Sequence, residues 1–194
     1  MKQAIQLSDA ELITAIQQGN DNALELLVLR HKDQLYTTIQ AIVKDQWLAE
    51  DIFQDTFIKI IGIIRQGKYD ERGKFMSWAA RVAYNLCMDA FRKTKSRPVV
   101  VMQDGTDVFN FIHSTEQEYI DKEDEKLRDE SIRNMIDQLP AAQREVLILR
   151  MYADLSFKEI AELTKVSINT SLGRMRYALL NLRKLIEEQQ MVLR

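Results

Sequence analysis

Apolar residues recur every three or four positions over most of the chain, which is the spacing of one face of an α-helix. In the N-terminal half this pattern covers residues 23–43, 45–64 and 75–97, and in the C-terminal half it resumes at Ile132. The chain has only two prolines and six glycines, a composition that favours long helices over sheets. We therefore predict an all-α protein.

Residue pairs typical of helix starts support this prediction. Ser8 and Glu11, like Ser156 and Glu159, have the Ser-x-x-Glu spacing of a capping box, so a helix should begin at each. Residues 165–167 separate the second of these helices from a basic helix that starts near Asn169 and runs to the C-terminus. We predict that the apolar stripe of this last helix consists of Ile168, Leu172, Met175, Leu179, Leu182 and Ile186.

Residues 45–64 combine an apolar stripe with an acidic side. The stripe comprises Trp47, Leu48, Ile52, Phe53, Phe57, Ile60, Ile61 and Ile64. The other side carries Glu50, Asp51 and Asp55, with Gln54 between them. This side is either a solvated surface or an electrostatic docking surface for a basic partner. No histidine or further carboxylate stands at ligand spacing, so we expect no metal site.

Residues 75–97 change character along one helix. Phe75, Trp78, Val82 and Leu86 give its first half an apolar face, and four cations crowd its second half. One interpretation is purely structural: a core helix with a solvated basic end. The alternative is a binding surface for a single nucleic-acid strand, since bases can stack on aromatics while cations neutralise the backbone.

A short helix, a tight turn and a basic helix at the C-terminus have the order of a helix-turn-helix, although other helical hairpins share it. In that geometry residues near the start of the last helix enter the major groove: Asn169, Thr170, Gly173, Arg174 and Tyr177. Arg can pair with guanine and Asn with adenine. Arg176, Arg183 and Lys184 are assigned to phosphates, which position a protein without specifying sequence.

The two helical halves are separated by a segment of different composition. Residues 116–130 contain eight acidic and three basic residues. Residues 98–130 are therefore predicted to be an acidic, partly flexible linker. The predicted domains are residues 1–97 and 131–194.

The composition limits the classes of function. A net charge of −2 argues against an indiscriminate DNA coat. The single Cys87 cannot form an intramolecular disulfide, and no apolar run reaches the length of a membrane span. We therefore expect a cytoplasmic protein without membrane insertion. His31, which we expect at the surface, and His113 form no catalytic or metal constellation with Cys87, so we expect no enzyme and no cofactor.

Several spaced motifs together resemble the bacterial RNA polymerase sigma factors of the extracytoplasmic-function (ECF) group. Residues 49–57, AEDIFQDTF, match the family signature A-E-D-x-x-Q-[ED]-x-F, and Trp78, Ala83, Asn85, Asp89 and Arg92 match its next helix. Leu139-Pro140 with Arg144-Glu145-Val146 resembles the L-P-x-x-x-R-E-V that opens the C-terminal domain, and residues 159–163 match the first helix of the helix-turn-helix.

The resemblance implies a factor that binds core RNA polymerase and directs promoter-specific initiation, reading −10 and −35 elements and helping to melt DNA. It implies a polymerase-binding surface at Glu50, Asp51, Gln54 and Asp55. It implies −10 DNA-binding residues Lys68, Arg72, Phe75, Trp78, Asn85, Asp89, Arg92 and Lys93. It implies −35 DNA-binding residues Lys165, Ser167, Asn169, Thr170, Gly173, Arg174, Arg176 and Tyr177. An anti-sigma factor is a common partner in the group.

The chain departs from the family pattern at the helix-turn-helix. Lys165 stands where Gly is usual, and Ser171-Leu172-Gly173 stands where Val-Lys-Ser is frequent. These departures leave the buried face of the last helix open between two registers that differ by one residue. A stand-alone helix-turn-helix repressor is the competing function, and it would have no need of the acidic surface or of the aromatic and basic helix.

Overall fold

The computed structural model describes residues 7–70, 73–96 and 131–192. These residues form helices joined by short turns and contain no strand, so the all-α prediction is confirmed. The helices are α1 (Asp9–Gln17), α2 (Asp21–Val43), α3 (Gln46–Arg65), α4 (Phe75–Ser96), α5 (described over 131–137), α6 (Ala141–Met151), α7 (Phe157–Thr164) and α8 (Ile168–Val192).

Local side-chain chemistry sets where the helices begin. Both predicted capping boxes are present: Glu11 N–H donates to Ser8 Oγ and Glu159 N–H to Ser156 Oγ, each at 3.3 Å, and the two glutamates accept in return. Asn20 and Asp45 cap α2 and α3 without a capping box, since each side chain accepts from one backbone N–H, that of Ala23 or Leu48. Each cap satisfies a backbone donor that the first helical turn leaves unpaired.

The chain divides into two compact units, and the first contains residues 1–97 together with Ile148–Glu159. Its core lies among α1 to α4 and includes the fully buried Leu12, Leu35, Ile39, Ile60 and Phe75. Side chains of α2 and α4 also hold the 148–159 segment. Gln34 Nε2 donates to the Tyr152 carbonyl at 2.9 Å, and Ser77 Oγ donates to the Asp154 carbonyl at 3.2 Å.

The second unit contains residues 98–147 and 160–194, described here over 131–147 and 160–192. Ile136, Leu139, Leu147 and Ala178 are buried together, and Met175 and Leu182 of α8 pack against them. Across this core Asn181 Nδ2 donates to Gln143 Oε1 at 2.8 Å. The predicted linker lies outside the described residues, so the division into 1–97, 98–130 and 131–194 stays a prediction.

The predicted apolar stripe of α8 is wrong in four of its positions. Ile168, Leu172, Leu179 and Ile186 are exposed, whereas Ser171 and Ala178 are fully buried. Two stripes one residue apart compete on this helix, and small residues let α8 approach its neighbours more closely. The structure selects the stripe with the small residues.

Two further expectations about single residues are corrected. Trp47, assigned to the buried stripe of α3, is 77% exposed. His31, expected at the surface, is largely buried: its Nε2 lies 2.9 Å from Asp9 Oδ2 and its ring centroid lies 4.8 Å from that of Phe75. Periodicity places a residue on a helix face, but neighbouring helices decide whether that face is covered.

Candidate functional site

The acidic side of α3 forms an exposed surface in the first unit. Asp51, Gln54 and Asp55 are all exposed, while Ala49 and Ile52 of the same helix are buried in the core. Glu50 is only partly exposed and accepts a hydrogen bond from Gln46 Nε2 at 3.3 Å. Burial, followed by the nearby charge of Glu50, raises the pKa of Tyr36. Three of the four predicted polymerase-binding residues thus share one open face, and Glu50 borders it.

Two exposed apolar side chains lie at the two ends of this acidic surface. Trp47 is 77% exposed and Ile58 is 69% exposed. Positions 47, 51, 54 and 58 are three or four residues apart, so they follow one side of the helix. Neither apolar residue is predicted to be functional from its position in the sequence. Burial could not be read from the helical period alone.

Phe75, predicted to contact the −10 strand, is a core residue. It is 1% exposed, and its ring centroid lies 4.8 Å from His31, 6.2 Å from Tyr69 and 5.9 Å from Trp78. A base therefore has no open face of Phe75 on which to stack. The ring instead supports the two aromatic residues beside it.

Tyr69 and Trp78 form an aromatic pair at the start of α4. Their ring centroids are 4.0 Å apart and their planes are tilted by 30°, a stacked arrangement. Both side chains are partly exposed. Sequence reasoning found Trp78 but missed Tyr69, although an aromatic residue inside the charged loop 67–73 was a visible signal.

The outer side of α4 carries the polar residues that follow this pair. Asn85 and Arg92 are exposed, and Asp89 pairs with Arg92. Lys93 and, before α4, Lys68 are also exposed, whereas Arg72 lies outside the described residues. On the inner side Cys87 is fully buried, and burial raises the pKa of its thiol to about 12. The helix therefore presents a basic outer side and an inert apolar inner side.

The turn before α8 is built on a left-handed residue. Lys165 has φ 57°, and Val166 N–H donates to the Ala161 carbonyl at 3.0 Å, which closes the end of α7. Ser167 Oγ then accepts from Thr170 N–H at 3.0 Å and caps α8. Both Lys165 and Ser167 are exposed at this turn. The predicted helix, three-residue turn and basic helix are thus present.

The predicted −35 residues separate into two groups on α8. Asn169, Thr170, Arg176 and Tyr177 are exposed, and Gly173 is partly exposed between them. Arg174 turns away from this surface, since its side chain is 29% exposed and its Nη1 lies 4.0 Å from Glu145 Oε2 of α6. Arg176, assigned to phosphate from the sequence, therefore occupies the more open position.

The residues that the structure describes contain neither a metal-binding cluster nor a membrane-spanning helix. No group of three or more His, Cys, Asp and Glu side chains in these residues could hold a metal ion. None of the helices described is both long and apolar enough to cross a membrane. The surfaces left to explain are an acidic one and two basic ones.

Comparison with known protein families identifies both halves of the chain. Residues 27–97 match Sigma-70 region 2, and residues 129–179 match Sigma-70 region 4. The first match contains the α3 and α4 surfaces, and the second contains the helix-turn-helix.

Characterised proteins similar to the chain carry the same family name. RNA polymerase sigma factor SigZ of Bacillus subtilis is 31% identical over 153 residues, covering 79% of this chain and 81% of its own. RNA polymerase sigma-H factor of Pseudomonas aeruginosa is 28% identical over 174 residues, covering 87% and 89%. The ECF factor SigW of Bacillus subtilis is 27% identical over 180 residues, covering 91% and 95%.

Two solved structures share the fold. CnrH in complex with the cytosolic domain of CnrY has a TM-score of 0.60 at 20% identity and covers 93% of this chain and 97% of that one. Sigma factor RpoE of Bartonella quintana in complex with the anti-sigma factor NepR has a TM-score of 0.58 at 21% identity, with 84% and 96% covered. With both sigma regions present in order and with these relatives, the chain belongs to the RNA polymerase sigma-70 factors, in the ECF group.

Proposed function

We propose that this protein binds core RNA polymerase through the α3 surface and directs initiation at promoters that α4 and α8 recognise. The observation that carries this proposal is the exposed face of Asp51, Gln54 and Asp55. These three polar residues are held outward by a buried apolar stripe, on the segment that matches the family signature, and no cation falls between positions 45 and 55. Such a face suits a basic partner.

The −10 strand would lie along α4. The stacked pair Tyr69 and Trp78 offers an aromatic platform, and Asn85 and Arg92 follow it on the exposed side. Stacking of bases on aromatic rings contributes about 1–3 kcal/mol per base. Capture of unpaired bases on this platform would offset the stacking lost when the duplex opens. Phe75 would act as a support for the platform and would not touch DNA.

The −35 duplex would be read by the exposed side of α8. Asn169 and Thr170 stand in the first turn, where a recognition helix meets base edges. We propose Arg176 as the arginine of the base-reading surface, because Arg174 lies beside Glu145. Lys165 and Ser167 at the turn would contact the backbone.

The protein would have no catalytic residues of its own and would act in the cytoplasm with the polymerase, which carries out the chemistry. Its net charge of −2 predicts weak binding to DNA without polymerase. On the polymerase, two weak DNA contacts held at promoter spacing would add through their effective concentrations. An anti-sigma factor would be a further partner of this protein, as it is of RpoE in the solved complex.

A pull-down of tagged protein with core RNA polymerase, followed by transcription from a promoter library, tests the proposal. We expect stoichiometric binding and new start sites preceded by two shared sequence elements. Absence of polymerase binding, together with tight binding to duplex DNA by the protein alone, would refute the proposal in favour of a repressor.

A further inference from the structure

The exposed side of α8 contains apolar residues where a DNA-reading helix would ordinarily be polar. Ile168 is 46% exposed and Leu172 is 44% exposed, both within the first two turns of the helix. The core of this unit is filled from the adjacent side of the helix by Ala178, with Met175 and Leu182 beside it. Leu172 is therefore directed outward by the same register that buries Ser171.

Leu172 lies among the polar residues proposed to read DNA. Asn169 precedes it by three residues and Arg176 follows it by four, so each of the two lies about one turn from Leu172 on a neighbouring position of the helix surface. Asn169 and Arg176 are exposed as well. A helix rises about 5.4 Å per turn, and successive base pairs are about 3.4 Å apart. Leu172 and Arg176 would therefore reach two base pairs that are either adjacent or separated by one base pair.

The surrounding charge indicates a nucleic acid as the occupant of this surface. Every charged residue between positions 168 and 184 is a cation: Arg174, Arg176, Arg183 and Lys184. These cations would attract a polyanion. Leu172, which lies among them, would then contact an apolar group on that polyanion. In the major groove that group is the 5-methyl of thymine, because the other base edges present donors and acceptors.

We propose that Leu172 is a specificity-determining residue that packs on a thymine methyl group in the −35 element, within two base pairs of the base read by Arg176. The inference rests on the proposed −35 function of α8. It predicts that promoters selected by this protein carry a thymine at this step. Ile168, one turn earlier, would border the same contact on the side of the turn.

Removal of the thymine methyl groups tests the inference. In the selected −35 sequence each thymine is replaced in turn by deoxyuridine, and binding of the holoenzyme is measured by competition. Wild-type holoenzyme should lose about fourfold in affinity at one position, the effect of one buried methyl group. Leu172→Ala should bind the unmodified promoter more weakly and show no further loss with deoxyuridine. Leu172→Met, which keeps an apolar side chain, should retain the sensitivity.

Leu179→Ala is the matched control, since Leu179 is 53% exposed on the same helix but two turns further on. It should respond to deoxyuridine as the wild type does. Equal deoxyuridine losses in the wild type and Leu172→Ala, or no loss at any thymine, would overturn the inference while leaving −35 recognition intact. A holoenzyme whose binding ignores the whole −35 element would instead overturn the proposed function of α8.

Discussion

Two adjacent residues of α8, at a position where the chain departs from the family pattern, have burial opposite to their polarity. Ser171 is fully buried, and its Oγ has no hydrogen-bond partner among the residues that the structure describes. Leu172, the next residue, is 44% exposed. A polar residue thus faces inward and an apolar one outward. The first arrangement lowers stability, and the second is available for recognition.

Replacement of Ser171 by Ala should stabilise the protein. A buried hydroxyl without a partner costs about 1–3 kcal/mol, and alanine is the better helix former. We expect the free energy of unfolding to rise by about 1 kcal/mol in urea titrations followed by circular dichroism. Ser167→Ala should have the opposite sign, since Ser167 caps α8 and loss of a cap costs about 1 kcal/mol. A destabilised Ser171→Ala would show that the hydroxyl is satisfied in solution.

Arg174 and Arg176 of α8 should have different effects in a binding assay. Arg176→Ala should weaken holoenzyme binding by about 1–3 kcal/mol and relax the preference at one base pair, the effect of losing a bidentate contact. Arg174→Ala should leave the base preference unchanged, because Arg174 lies beside Glu145. Binding of both variants to single-base promoter variants gives the comparison. Relaxed specificity in Arg174→Ala alone would reverse the assignment.

At the scale of elements, capping boxes and turns position the functional helices. Ser156 and Glu159 begin α7, and Glu159 Oε1 also lies 3.0 Å from Arg81 Nη2 of α4 within the first unit. Burial raises the pKa of Glu159, but hydrogen bonds from Ser156 and the charges of Arg81 and Lys74 outweigh it. The net effect holds this pKa below its ordinary value of 4.5.

The lowered pKa of Glu159 makes stability depend on pH. A carboxylate whose pKa is depressed in the folded state contributes stability above the unfolded value, and this contribution is lost as pH falls through the folded value. We expect the free energy of unfolding to decline as pH drops below about 4.5. Glu159→Gln keeps the cap acceptor without its charge, so its decline should be shallower. The control Glu162→Gln, an exposed residue of the same helix, should follow the wild type. Identical slopes for all three proteins would contradict the role assigned to Glu159.

At the scale of the whole molecule, the proposed function needs an acidic docking surface on α3 and two basic DNA-binding surfaces on α4 and α8. A substitution on one of these surfaces should therefore weaken the binding of its own partner and leave the binding of the other partner unchanged. Asp51→Arg reverses a charge on the exposed side of α3 and leaves the buried residues of that helix, such as Ile52, unchanged.

We expect Asp51→Arg to lower affinity for core polymerase by at least tenfold, with an unchanged unfolding transition, because it places a cation against a basic partner. Affinity is measured by titration with labelled core polymerase. Glu25→Arg, the same charge reversal at an exposed position of α2, should bind as the wild type does. Equal losses for the two variants would indicate a general charge effect and would not support a docking site on α3.

Cys87 should report the opening of the first unit. Its thiol is fully buried, and burial raises its pKa to about 12. The thiolate is the reactive form, so native protein at pH 8 should resist thiol reagents and react only as rapidly as the unit unfolds. Labelling followed by mass spectrometry across a urea series should track loss of helicity. Fast labelling of native protein would contradict the buried position.

The sequence by itself determined the helices, the two capping boxes, the turn before α8 and the order of the two sigma regions. These features depend on residues close in the chain: a serine three residues before a glutamate, or a repeat of three and four. The motif spacing also placed Asp51, Gln54 and Asp55 on one face, since helical geometry alone requires it.

Only the tertiary structure decided which of two neighbouring stripes α8 buries, that Phe75 is core and Trp47 is open, and that Tyr69 stacks on Trp78. A helical period assigns a residue to a face, but the two candidate apolar faces of α8 overlap, since Met175 and Leu182 belong to both. Which of the two faces is buried depends on the space left by the helices that pack against α8 and lie far from it in the sequence. Small Ser171 and Ala178 fit that gap, so the larger Leu172 and Leu179 remain outside.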